Sequence, residues 1–159
     1  MNMVDHVFIK RKLDSLVEYI GDLEEQQHLT VADLETDKVL RNHIERSLHK
    51  AVESCLDIGK HLIAALGLRT PEDYSDIMTI LVEAGILPKE DLLKFKKMAQ
   101  FRNVIVHNYE KIDPQIVLAV LQNNLSDLRF FARIVRDRIN RGDNQGDGSC
   151  GSGFAGREG

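Results

Sequence analysis

The stretch Asp37–Leu66, DKVLRNHIERSLHKAVESCLDIGKHLIAAL, decides the fold. Leu40, Ile44, Leu48, Ala51, Cys55, Ile58, Leu62 and Leu66 recur at spacings of three and four, which is the repeat of one helical face. Val52, Leu56 and Ile63 widen that seam. A helix of about 29 residues spans roughly 44 Å at about 1.5 Å per residue. An element of that length is the usual backbone of a helical bundle, and Gly67 stands where such a helix stops.

On the N-terminal side, Ile9, Leu13, Leu16, Ile20 and Leu23 form a second stripe, predicting a helix over about residues 5–27. Thr30, with Asp33 three residues on, caps a short turn through Glu35. On the C-terminal side, Leu68–Pro71 is a connector. Ile77, Ile80, Leu81 and Ala84 mark a short helix over about 75–84, ended by Gly85. Pro88 enters a further helix lined by Leu92, Phe95, Ala99 and Val106, with Met98 and Ile105 beside them. Asn108–Asp113 reads as a loop. Pro114, capped by Asp113, opens a last helix on Val117, Val120, Leu121, Leu128, Phe131 and Val135, running to about Ile139. No stretch alternates with period two. The expected fold is all-α, an antiparallel bundle of four main helices and one short one.

Composition agrees with this. The chain has 159 residues, 43% of them apolar and 29% charged, which is one ordinary globular domain with a core of its own. A net charge of -4 argues against a surface that grips nucleic acid over its whole extent, though a local basic cleft remains open. Cys55 and Cys150 are the only cysteines and form no ligand cluster, so neither a metal nor a cofactor is expected. No apolar run reaches the roughly 20 residues of a membrane span. The N-terminus does not read as a signal peptide, and the expectation is a cytoplasmic protein. Seven of the eleven glycines fall between Gly142 and Gly159. The domain is therefore placed at residues 1–141 and a disordered tail at 142–159.

The chemistry concentrates in Phe101-Arg102-Asn103-Val104-Ile105-Val106-His107-Asn108-Tyr109. Five residues at about 100° each turn His107 roughly 140° away from Arg102. Either the helix loosens near His107, or the two groups meet across a second copy of the chain. The residue types suit cleavage of an RNA phosphodiester. A histidine moves a proton near neutral pH, as attack by a ribose 2′-OH requires. An arginine offers a charged planar fork to the phosphate, and Asn103 can hold an oxygen. A plainer reading stands beside this one: Arg102 pairs with a carboxylate, His107 is a structural hydrogen-bonding group and Tyr109 is a packed ring. His43, His49 and His61 share the long helix but form no His-x-x-x-His pair. Asp57 and Lys60 read as polar groups pairing with neighbours near its seam, and Lys94, Lys96 and Lys97 as a solvated face.

Arg102 to Tyr109 resembles the signature of HEPN-domain toxins: an arginine, commonly a polar residue after it, and a histidine beyond. The tyrosine two residues past the histidine narrows the resemblance to the HepT branch of HEPN/MNT toxin–antitoxin pairs. Glu53–Ile63, Glu83–Leu87 and Met98–Phe101 support it, over about residues 5–138. The resemblance implies a homodimeric HEPN bundle with both motifs lining one cleft. It implies a metal-independent endoribonuclease toxin of a type VII system. The implied partners are RNA and an MNT-type nucleotidyltransferase antitoxin that places adenylate on the motif tyrosine. Arg102 and His107 would be catalytic, Asn103 supporting, and Tyr109 the site of adenylylation. The competing function is a non-catalytic helical subunit serving a nucleotidyltransferase.

Overall fold

A computed structural model describes residues 4–107 and 112–147, with side chains as far as Gly142. Among these residues there are seven α-helices and no strand: α1 (His6–Glu24), α2 (Val31–Thr36), α3 (Lys38–Ala65), α4 (Tyr74–Glu83), α5 (Leu92–His107), α6 (Pro114–Asn123) and α7 (Leu125–Asp147). A single 3-10 turn, Lys89–Asp91, leads into α5. The all-α bundle expected from the apolar stripes is what the chain forms.

The long helix α3 is the hub, packing against α1, α2, α4, α5 and α7. Ile44, Leu48, Ala51, Cys55 and Ile58 are fully buried along its seam, and all five residues of the α1 stripe are buried against it. Arg41 is buried as well, which the apolar pattern did not foretell. Burial pushes the Cys55 thiol far up, so it serves as a small core residue.

Local signals set the helix ends. Asp5, Thr30, Asp37, Asp73 and Asp113 each accept a backbone N–H from the first turn of the helix they precede. Thr30 and Asp33 form a reciprocal capping box. Gly67 and Gly85 have φ of 65° and 74°, the left-handed geometry that glycine adopts without strain. Each ends its helix with the same pair of bonds: Leu68 N–H to the Ile63 carbonyl and Gly67 to Ala64, then Ile86 to Leu81 and Gly85 to Val82.

The last helix departs from the sequence expectation. It is not continuous from Pro114 but breaks at Asn124 into α6 and α7. Asparagine side chains compete with helical backbone bonds, and here the Asn124 amide donates instead to Asp127 at 3.2 Å. Gln27, after α1, donates to the Leu121 carbonyl, and Gln122 donates to the Gln27 carbonyl. These two bonds hold α6 at its own angle, so Leu121 and Leu128 are both buried on separate helices. At the other end α7 runs past Arg141 to Asp147. Gly142 and Gly146 each cost a helix only about 1 kcal/mol, too little to stop one whose preceding turns are docked. Residues 148–159, the rest of the expected tail, lie outside the described residues.

Candidate functional site

Arg102 sits inside α5, not at its end, and is half-buried. The packing of α5 on α3 brings its Nε within 3.0 Å of the Glu53 carboxylate, across 49 residues of chain. Its guanidinium carbon lies 4.1 Å from the centre of the Tyr74 ring, at the start of α4. Three helices thus converge on one cation. Glu53 is met from its own helix too, with His49 Nε2 at 3.2 Å. Lys60 Nζ lies 4.8 Å from the Tyr74 ring centre. Burial works against the Glu53 carboxylate, but the hydrogen bonds from Arg102 and His49 outweigh it and hold its pKa below the ordinary glutamate value.

His107 is the last residue of α5 and is exposed, as is Asn103. The helix stays regular from Leu92 to His107. The roughly 140° offset therefore holds within one chain, and loosening before His107 is not how the two groups approach. Asn108 and Tyr109 lie outside the described residues. Val104, Ile105 and Val106, between the two motif residues, are all only half-buried. With Val52, Met98, Phe101, Val120 and Leu128, Val104 lines a hollow of about 320 Å³ beside the motif.

Of the polar groups assigned to pairing, Asp57 accepts from Lys12 at 3.0 Å. His61 Nε2 accepts the Asp5 N–H at 2.9 Å, and Lys94 pairs with Asp91. The plainer sequence reading, that Arg102 pairs with a carboxylate, holds, but neither Glu53 nor the Tyr74 ring was identified as its partner. The His49–Glu53 spacing of four was visible as a same-face helical pair, but nothing local tied it to Arg102 or to Tyr74. Among the described residues no group of three or more His, Cys, Asp or Glu is arranged to hold a metal ion. No helix of those residues is long and apolar enough to cross a membrane.

The chain is similar to the mRNA nuclease HepT of Shewanella oneidensis, 26% identical over 128 residues that cover 80% of this chain and 90% of that protein. Its fold is similar to the tri-AMPylated HEPN toxin of the same organism, solved in complex with an MNT antitoxin. The TM-score is 0.71 at 25% identity, covering 82% of this chain and 97% of that one. The cytosolic protein YutE of Bacillus subtilis has the same fold, with a TM-score of 0.77 at 23% identity over 89% of this chain and 94% of that one. The ribonuclease HepT-like family model matches residues 16–135, on a fold that HEPN toxins share and with Arg102 and His107 inside the matched span: the chain belongs to the ribonuclease HepT-like family.

Proposed function

We propose that this chain is an endoribonuclease toxin of a HEPN/MNT toxin–antitoxin pair, cleaving RNA with Arg102 and His107. The observation that carries the reading is the Arg102–His107 pair on one regular helix, Arg102 half-buried within it and His107 exposed at its end, in a chain whose relative of similar length is an mRNA nuclease. His107, open to solvent, takes the proton of a ribose 2′-OH. The 2′ oxygen bonds to the adjacent phosphorus, the bond to the 5′ oxygen breaks, and that oxygen takes a proton from water as it leaves, the proton on His107 returning to solvent. The products are a 2′,3′-cyclic phosphate and a 5′-hydroxyl. Arg102 faces the charge that builds on the phosphoryl oxygens, and Asn103 holds one of them. The nucleophile belongs to the substrate, so acid–base and cationic groups account for the step and no metal is invoked.

Because α5 keeps its helical turn through His107, the reading pairs two chains so that Arg102 of one and His107 of the other share a cleft. The partner is an MNT-type nucleotidyltransferase. The similarity to an AMPylated HEPN toxin held by such a protein supports this. Adenylate on Tyr109 sets a bulky anion two residues from His107, where it obstructs RNA and competes for Arg102.

The test is cleavage of messenger and transfer RNA by unmodified protein, with EDTA present. Cleavage persists in EDTA and disappears in His107→Ala; Arg102→Lys is strongly impaired because an ammonium lacks the two-pronged contact. Tyr109→Phe cleaves RNA yet escapes inactivation by antitoxin and ATP. An unmodified wild type that cleaves neither RNA would replace this reading with the non-catalytic partner subunit.

A further inference from the structure

Two arginines of this protein are held in opposite ways, and the contrast assigns roles to their neighbours. Arg69 is saturated. Its Nε and both Nη nitrogens donate to Asp76 and Glu83, two of these bonds at 2.7 Å, and these hydrogen bonds raise its pKa far above the ordinary range. Both prongs of that fork are already bonded to carboxylates, so Arg69 is a staple between the connector and α4. Arg102 is hydrogen-bonded through Nε alone among the described residues, with its guanidinium carbon 4.1 Å from the centre of the Tyr74 ring. The nitrogen that points back along the side chain is fixed, while the outward pair of Nη nitrogens is left to a phosphate. A half-exposed ion pair adds little stability in itself. An arginine side chain also loses much rotamer freedom when it is ordered. The arrangement of an edge contact, a ring contact and an outward fork is what preorganises a phosphate-binding arginine.

We propose that Glu53 and Tyr74 are positioning residues that together set the Arg102 guanidinium for the phosphate, with His49 holding Glu53 in turn. The proposal rests on the reading of Arg102 as the phosphate-binding group. Glu53 fixes one edge of the fork at 3.0 Å, and the Tyr74 ring, 4.1 Å from the guanidinium carbon, limits its swing. Glu53 also places a negative charge beside the cation. Its removal therefore leaves RNA binding unchanged or tighter while turnover falls, because only the transition-state geometry is lost.

The experiment measures kcat and the RNA dissociation constant separately for the full, unmodified chain. Glu53→Ala lowers kcat on the order of 10-fold, with the dissociation constant no weaker than that of wild type; Glu53→Gln, which keeps an acceptor for Nε, falls between them. Tyr74→Leu lowers kcat, and Tyr74→Phe, which keeps the ring, restores it. In parallel, nitrogen-15 spectra follow the Arg102 Nε–H signal, assigned by its absence in Arg102→Lys. It exchanges slowly with water in wild type and Tyr74→Phe, and quickly in Glu53→Ala. Unaltered kcat and unaltered exchange in Glu53→Ala and Tyr74→Leu would overturn the clamp. So would losses of kcat that merely follow the folded fraction seen by circular dichroism. If wild type cleaves no RNA, the functional reading fails by itself, and the Nε–H exchange still decides whether Glu53 and Tyr74 hold the arginine. Should Glu53→Ala not fold, Glu53→Gln carries the same readouts.

Discussion

Arg102 and His107 share a helix but not an environment. Arg102 is half-buried, bonded to Glu53 and set over the Tyr74 ring, while His107 is exposed at the helix end. Truncating them therefore has different costs. Arg102→Ala is expected to lower unfolding free energy on the order of 1 kcal/mol, from the lost ion pair and cation–π contact. His107→Ala is expected to leave it unchanged within about 0.5 kcal/mol. Urea unfolding of both variants checks this, and equal losses would place His107 in the packing. The Glu53 carboxyl adds a pH dependence. Its folded pKa lies below the ordinary 4.5, so the folded state binds fewer protons than the unfolded chain as acid is added. The stabilisation is complete above pH 4.5 and is lost as pH falls through the lowered folded value. Wild type is expected to lose stability over that window relative to Glu53→Gln; parallel stability–pH curves would count against the pair.

Among the elements, the crossing of α3 and α4 governs the site. A Cβ built on Gly59 would stand 2.6 Å from Cγ2 of Ile77 and 3.4 Å from Cδ1 of Leu81. The missing side chain is what lets α4 lie this close, and Tyr74, one turn before Ile77, then reaches Arg102. Gly59→Ala gains about 1 kcal/mol of helix propensity. Overpacking a filled core costs about 1–3 kcal/mol, and at 2.6 Å the clash outweighs the gain. The variant is expected to melt below wild type and to lose RNA cleavage in excess of its loss of folded protein, because Tyr74 is pushed off the arginine. A melting temperature above wild type would show that the two helices have slack at this crossing.

At the scale of the whole molecule, the helix geometry argues for two copies. One regular helix directs Arg102 and His107 roughly 140° apart, and the segment between them leaves Val104, Ile105 and Val106 only half-covered. A symmetric dimer through this face would bury that apolar edge and bring the two motifs to one cleft. Light scattering at micromolar concentration is expected to give twice the chain mass. Mixing Arg102→Ala with His107→Ala subunits is expected to restore part of the activity, since a mixed dimer keeps one intact Arg–His pair. A monomer, or no recovery on mixing, would remove the shared-cleft arrangement.

The helices were legible from residue order because each is set by local chemistry. Apolar spacing placed α1, α3 and α4; caps and left-handed glycines closed α3 and α4 within a residue, while α1, with no such glycine, ends three residues before its expected limit. The motif was legible for the same reason: Arg102, Asn103, His107 and Tyr109 are close in the chain, and so are the residues of the pattern they match. What surrounds Arg102 was not. Glu53 precedes it by 49 residues, and Tyr74 opens a different helix, so their meeting depends on how α3, α4 and α5 pack. The break at Asn124 is likewise a tertiary result, since the two bonds with Gln27 that hold α6 come from the far end of α1. Sequence by itself determined the main helical segments, the apolar stripe each turns to the core and where the reactive groups lie along the chain. Only the tertiary structure decided which carboxylate and which ring hold the arginine, because those contacts arise when separate apolar faces are buried together and carry no signature within any one helix.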